Sequence, residues 1–184
     1  MPLRRSARLL AAGALVLAAP ALTSCGFDYA TDRAYTPGAG TNDHSQTIDV
    51  LSAVVVSAEA GSGTLVASFA NNDNTATGTI TDIKGAGDDE GLTVEGFSTI
   101  TVPANGLVNL ADATTPVNIS GDFDSGAFLT LEFTFGDGTT VQQDVPTVPD
   151  CYEYAGLDKS TDTPTPVEEC KPAPPVGEAE SATH

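Results

Sequence analysis

The chain contains few side chains that could form a catalytic centre. Its only histidines are His44 and His184, and its three cysteines are Cys25, Cys151 and Cys170. A hydrolase that uses a nucleophile needs a histidine held beside a serine or cysteine. His44 lies in a polar N-terminal stretch and His184 is the last residue. We therefore predict no catalytic residues and no enzyme activity.

Carboxylates are more abundant, and two groups of them could be considered as calcium ligands. Asp122 and Asp124 flank Phe123 in a short turn, and Asp88-Asp89-Glu90 lie in a Gly-rich loop. Calcium takes roughly 6 to 8 oxygen ligands, and neither group has the spacing of an EF-hand. Asp and Gly are also the residues that turns require. We interpret both groups as turns, keep calcium as the alternative, and predict no metal site and no cofactor.

The first cysteine follows the pattern of a secretory signal. Three arginines precede an apolar run of fourteen residues, Leu9–Leu22, which is shorter than the roughly 20 that a membrane-spanning helix needs. Leu22, Thr23 and Ser24 then lead directly into Cys25, a sequence that resembles a bacterial lipobox. We expect residues 1–24 to be removed as a lipoprotein signal peptide, and Cys25 to become an N-terminus that carries diacylglycerol and palmitate.

The charge of the chain supports an anchor of this kind. Residues 1–24 contain three arginines and no acid, so the processed chain has four basic residues against 25 acids and a formal charge of −21. Such a surface repels nucleic acid and anionic headgroups, so we predict no nucleic-acid partner. Membrane attachment would then depend on the lipid on Cys25, because two acyl chains anchor a protein stably where one does not.

The other two cysteines are suited to a structural disulfide. Eighteen residues separate Cys151 from Cys170, and the compartment outside the membrane permits disulfides. Closing a loop of this size stabilises a fold by roughly 3 kcal/mol. The bond would fold Tyr152, Tyr154 and Leu157 toward the domain. A redox or metal role is the alternative, but it usually needs more closely spaced cysteines.

Composition divides the chain into five segments. Between 47 and 148, short β-branched and aromatic runs alternate with Gly, Asn and Asp, which is typical of a β-sandwich, and about 100 residues is the usual size of an immunoglobulin-like domain. We predict an all-β, immunoglobulin-like antiparallel sandwich with a disordered N-terminal tether and C-terminal tail. The predicted segments are the signal peptide (1–24), the lipidated tether (25–46), the sandwich (47–148), a disulfide-closed extension (149–170) and a disordered, Pro-rich acidic tail (171–184).

Individual strands follow from alternation and turn residues. The clearest hairpin pairs Phe128–Phe135 with Thr139–Val145 across Asp137-Gly138, a strong hairpin signal. Val54-Val55-Val56 is continuously apolar, so its strand should be covered on both faces. The other predicted strands are Ile48–Ser57, Thr64–Asn71, Thr79–Ile83, Leu92–Phe97, Thr99–Val102, Leu107–Leu110 and Val117–Ser120.

Four stretches of this region resemble a group of actinobacterial lipoproteins. They are Asp49–Val56, Phe69-Ala70-Asn71-Asn72, Pro103–Leu110 and Gly126–Phe133. More distantly, the chain resembles the periplasmic copper chaperones that load the copper-A centre of cytochrome oxidase. That resemblance implies a cupredoxin-like sandwich and a Cu(I) site of methionines and histidines.

The chain departs from this family at the implied copper ligands. Its single methionine, Met1, belongs to the predicted signal peptide, and both histidines fall outside the predicted sandwich. No residue can therefore be assigned as a copper ligand. We expect a lipid-anchored binding or accessory protein on the extracytoplasmic face of the bacterial cell membrane, where it contacts another envelope or membrane protein. Extracytoplasmic copper handling is the alternative.

The lipobox leads to a direct test. Replacing Cys25 with serine should abolish lipidation, so that the protein either leaves the membrane or retains its signal peptide. Ser24→Ala, which keeps the cysteine and a small residue before it, should be processed normally. Membrane fractionation with mass spectrometry of the N-terminus measures both outcomes. Mature, membrane-bound Cys25→Ser protein would contradict the prediction.

Overall fold

The computed structural model describes residues 38–161 and Cys170, and the regular secondary structure of this part of the chain is mostly β-strand. The predicted signal peptide, the start of the tether and the tail from residue 171 lie outside the described residues. Three one-turn 3-10 helices, at Gly87–Asp89, Leu110–Asp112 and Tyr152–Tyr154, interrupt the strands. No helix in residues 38–161 is long and apolar enough to cross a membrane. The strands are β1 (Thr41–Asp43), β2 (Ile48–Glu59), β3 (Ser62–Asn71), β4 (Gly78–Gly85), β5 (Thr93–Glu95), β6 (Ile100–Val102), β7 (Leu107–Asn109), β8 (Asn118–Ser120), β9 (Phe128–Phe135) and β10 (Thr140–Pro149).

The strands form one curled sheet whose two halves face each other. The first half has the order β5-β8-β3-β2-β10, with β1 beside β2 and β7 beside β3, and the second half has the order β10-β9-β4-β6. This arrangement confirms the predicted all-β sandwich. Nearly all pairings are antiparallel; the exception is β10, which pairs in parallel with β2.

Strand β10 belongs to both halves. Its first part, Thr140–Pro146, is antiparallel to β9, while Thr147–Pro149 pairs with Val55–Ser57 of β2. Both halves of the sheet are therefore hydrogen-bonded to the same continuous strand. A parallel pair of strands distant in sequence leaves no signature in the local pattern, so the antiparallel prediction omitted it.

The core lies between the two halves. On β9 the inward set Leu129, Leu131, Phe133 and Phe135 is buried, as its alternation predicts. The ring of Phe133 meets that of Phe69 of β3 edge to face, with centroids 6.1 Å apart, a geometry that adds to simple burial.

The prediction that Val54-Val55-Val56 is covered on both faces is confirmed. Val55 lies in the main core, whereas Val54 and Val56 pack in a second cluster with Val148, Tyr154 and Leu157. The segment after β10 therefore folds back over the outer surface of the first half. Tyr152 does not take part in this packing, contrary to expectation, because its side chain is 60% exposed.

The disulfide and two buried carboxylates hold this extension. Cys151 and Cys170 are bonded, with 5.5 Å between their Cα atoms. The Asp158 carboxylate accepts hydrogen bonds from the Ala58 amide (2.8 Å) and lies 3.1 Å from the Thr64 hydroxyl. Asp150 accepts one from the Leu157 amide at 3.0 Å. Asp158 thus ties the extension to β2 and β3.

The sheet begins earlier than the predicted domain boundary at residue 47. Strand β1 lies in the segment assigned to the tether and pairs with β2 where β10 has left it. With its amide oxygen toward β1, Gln143 accepts hydrogen bonds from the backbone amides of Asn42 (3.0 Å) and Asp43 (3.3 Å). A strand of three polar residues has no hydrophobic alternation, so only its partners define it.

The buried carboxylate of Asp158 should contribute to the stability of the fold. Asp158→Ala leaves the Ala58 amide without its partner, and an unsatisfied buried donor costs about 1–3 kcal/mol. We expect the free energy of unfolding to fall by about 2 kcal/mol, whereas Glu153→Ala, an exposed change in the same extension, should have little effect. Urea denaturation monitored by circular dichroism measures both. Equal stability of the two variants would contradict this role for Asp158.

Candidate ligand-binding cleft

A cleft of about 290 Å³ opens at one end of the sandwich. Three connections meet there: β1 to β2, β3 to β4, and β9 to β10. These loops lie at the same end because β2 and β4 begin there, whereas β3 and β9 end there. The lining residues are Gln46, Thr47, Ile48, Asn71, Asp73, Ala76, Thr77, Gly78, Thr79, Phe135, Gly136, Asp137 and Thr139.

Asp137 shapes the β9–β10 wall of the cleft. Its Oδ1 atom accepts hydrogen bonds from the backbone amide (2.9 Å) and hydroxyl (2.7 Å) of Thr139. Gly138 has a φ of 84°, which glycine adopts without strain. The hairpin signal in the sequence therefore also places a carboxylate at the cleft.

Asp73 shapes the β3–β4 wall of the cleft in the same way. Its Oδ1 atom accepts hydrogen bonds from the amide and hydroxyl of Thr75, both at 2.7 Å, and from the Ala76 amide at 3.0 Å. Asn71, which is buried, supports this loop by donating to the Ala76 carbonyl and accepting from the Asp73 amide, both at 2.9 Å. The loop is therefore held by hydrogen bonds on both sides of Asp73.

The end of β9 approaches β4 closely along one side of the cleft. A Cβ atom at Gly136 would lie 2.2 Å from Oγ1 of Thr79, and the Gly136 amide donates to the Thr79 carbonyl at 2.9 Å. A larger residue at 136 would force these strands apart. This backbone contact between β9 and β4 thus holds together the two loops that carry Asp73 and Asp137.

The cleft is electronegative. Hydrogen bonds from Thr75 and Ala76 lower the pKa of Asp73, and those from Thr139 lower the pKa of Asp137. Hydrogen bonds to the charged form favour ionisation, so both carboxylates are anionic at neutral pH. Threonine hydroxyls and the amides of Asn71 and Gln46 supply the other polar groups.

Among the acids singled out in the sequence, Asp89 has a structural role. Asp89 accepts a hydrogen bond from the Thr130 amide at 2.8 Å. The turn of Asp122 and Asp124 lies at the opposite end of the sandwich, where the Phe123 carbonyl accepts from the Gly61 amide. Across the described ranges, no group of three or more Asp, Glu, His or Cys side chains could hold a metal ion.

His44 lies nearer the sheet than the sequence indicated. It directly follows β1, and its Nδ1 atom is 3.0 Å from Oδ2 of Asp49. The imidazole is 64% exposed, so this is a surface contact. His184 and Cys25 fall outside the described residues.

Sequence reasoning did not identify the acids of the cleft. In the sequence, Asp137 is recognised only as part of the Asp-Gly hairpin signal, and no prediction includes Asp73. A signal was nevertheless present, since Asp followed two residues later by Ser or Thr occurs at 43, 73, 112, 137 and 158. At 43, 73, 137 and 158 the hydroxyl group donates a hydrogen bond to the aspartate. The motif predicts a turn but not which turns share a cleft.

Comparison with known proteins gives a distant structural likeness. No family model matches the chain, and no curated protein matches it. A copper-bound PCuAC domain from PmoF2 is similar in structure, with a TM-score of 0.47 at 11% identity over 59% of this chain and 98% of that one. The apo PCuAC domain from PmoF1 has a TM-score of 0.45 at 13% identity, covering 59% and 99%. A likeness of this degree identifies no ligand for the present chain.

The lowered pKa values generate a prediction about stability. A carboxyl with a pKa below its unfolded value of 3.8 stabilises the fold above that pH, and the contribution is lost as pH falls through the lowered folded pKa. Wild-type protein should therefore lose more stability between about pH 4 and pH 2 than Asp73→Asn/Asp137→Asn, which keeps an oxygen acceptor but cannot ionise.

Thermal unfolding across this pH range measures the difference. Asp122→Asn, which removes an exposed charge at the opposite end, should follow the wild-type curve. If the cleft variant showed the same pH dependence as wild type, the assignment of these pKa shifts would be wrong.

Proposed function

We propose that this protein is a lipid-anchored binding protein of the bacterial envelope and that its end cleft receives a cationic side chain of a neighbouring envelope protein. The observation that carries the proposal is the pair of anionic carboxylates that line one cleft from two different loops. Each uses Oδ1 to hold its own loop, and the structure records no hydrogen bond to either Oδ2 within the described residues. An ammonium or guanidinium group supplies the donors that such oxygens accept.

The size of the cleft fits this kind of ligand. Sites for drug-sized molecules span roughly 300–1,000 Å³, so a cleft of about 290 Å³ suits a side chain or another small group. Ile48 and Phe135 contribute apolar wall, which can pack along the methylene stem of lysine or arginine.

The charge of the whole protein favours the same partner. The net charge of −21 after processing would accelerate encounter with a basic surface and would make binding sensitive to salt. Attachment through Cys25 would keep the domain near such partners. Twelve residues lie between Cys25 and Gly38, and this length reaches at most about 45 Å.

A zero-length crosslinking experiment tests the proposal. Carbodiimide joins a carboxylate to a lysine amine only where the two are in contact, so treatment of intact membranes should link Asp73 or Asp137 to a lysine of one partner. We expect Asp73→Asn/Asp137→Asn to reduce this product at least tenfold. Asp122→Asn/Asp124→Asn removes the same charge at the opposite end and should leave it unchanged.

Three outcomes would contradict the proposal. They are no crosslinked partner, a product that persists in the cleft variant, or equal loss in the control, which would indicate general charge attraction rather than a site. Stoichiometric, high-affinity binding of Cu(I) to the purified domain would instead favour the alternative, copper handling.

A further inference from the structure

A second surface of the molecule has a different chemistry from the cleft. The outward side chains of β4, β9 and β10 form a polar face on the second half of the sheet, and most of them are exposed. We call this surface the β9 face. Its residues are Thr81, Asp82, Lys84, Phe128, Thr130, Glu132, Thr134, Thr140, Gln142 and Asp144.

The polar groups of the β9 face are held in cross-strand rows. Glu132 is the centre of one row, with its carboxylate 3.0 Å from Nζ of Lys84 and 2.9 Å from Nε2 of Gln142. In the next row the Thr130 hydroxyl donates to Asp144 at 3.0 Å. The registers of β4 with β9 and of β9 with β10 place these partners directly opposite each other, so little side-chain freedom remains to be lost on binding.

The electrostatics of the central row agree with this geometry. Hydrogen bonds from Gln142 and Lys84 lower the pKa of Glu132, and the bond to Glu132 raises the pKa of Lys84. Both groups therefore stay charged over a wide pH range. The row offers donors and acceptors side by side.

One exposed aromatic ring lies on the same face. Phe128 is 65% exposed at the start of β9, four residues from Glu132, or about 13 Å along the strand. A hollow of about 280 Å³ lies beside the row, lined by Lys84, Glu132, Gln142, Glu90 and the glycines at 85 and 87. The ring and the polar row thus share one shallow surface.

We propose that the β9 face binds an uncharged polysaccharide, with a sugar ring against Phe128 and hydroxyls on the row of Glu132, Lys84 and Gln142. Each sugar hydroxyl donates and accepts, which matches alternating donors and acceptors. A cationic partner would need acceptors alone, as in the cleft. The excess of acidic over basic side chains on the face disfavours polyanions. This proposal does not depend on the function assigned to the cleft.

Sedimentation with insoluble chitin, cellulose and mannan tests the proposal, and heparin-agarose serves as the polyanionic comparison. We expect wild-type protein to pellet with at least one neutral polysaccharide and not with heparin. Phe128→Ala and Phe128→Leu should reduce pelleting at least fivefold, whereas Phe128→Tyr should retain it, because the contact requires an aromatic ring.

The chain provides a matched control in Leu107, which is 59% exposed on β7 of the other half. Leu107→Ala should bind like wild type. Because Phe128 and Leu107 are both exposed, unfolding curves of all variants should coincide, which separates loss of binding from loss of folding. The proposal is overturned if wild type pellets with none of the neutral polysaccharides, if Phe128→Leu binds as well as wild type, or if heparin binds equally.

Discussion

The architecture depends on β10 running through both halves of the sheet. From Thr140 to Pro146 the strand pairs with β9, and from Thr147 it pairs with β2. Because a one-residue shift of register would turn the side chains of a strand to the other face, this one strand aligns the two halves. Val145, in the main core, and Val148, in the outer cluster, lie on either side of the change. The position of β1 follows from it, since β1 covers the part of β2 that β10 leaves unpaired.

The two candidate surfaces differ because their carboxylates have different partners. In the cleft, Asp73 and Asp137 accept hydrogen bonds within their own turns, and neither forms an ion pair with another described residue. On the β9 face, Glu132 is paired with Lys84 and Gln142, so its charge is largely balanced. A carboxylate thus suits a cation in one place and hydroxyl groups in the other. Local turns position the first set, and strand register positions the second.

Much of the fold could be predicted because its signals are local. The alternation of apolar and polar residues predicted the strands, and Asp137-Gly138 predicted the hairpin. The three consecutive valines predicted a strand that is covered on both faces. The pairing of Cys151 with Cys170 followed from their being the two cysteines left after Cys25. The cleft could not be predicted in this way. Asp73 and Asp137 are 64 residues apart, and nothing in the sequence indicates that their turns share one end of the sandwich.

The sequence by itself determined which segments form strands, where the hairpin turns, and that the domain is strongly acidic, because periodicity, turn chemistry and charge are properties of neighbouring residues. Only the tertiary structure decided the parallel pairing of β10 with β2, the place of β1, and the grouping of polar side chains into a cleft and a face. These depend on contacts between residues far apart in the chain, such as Thr147 with Val55. Such contacts form through the closure of the whole sheet and leave no pattern in either segment alone.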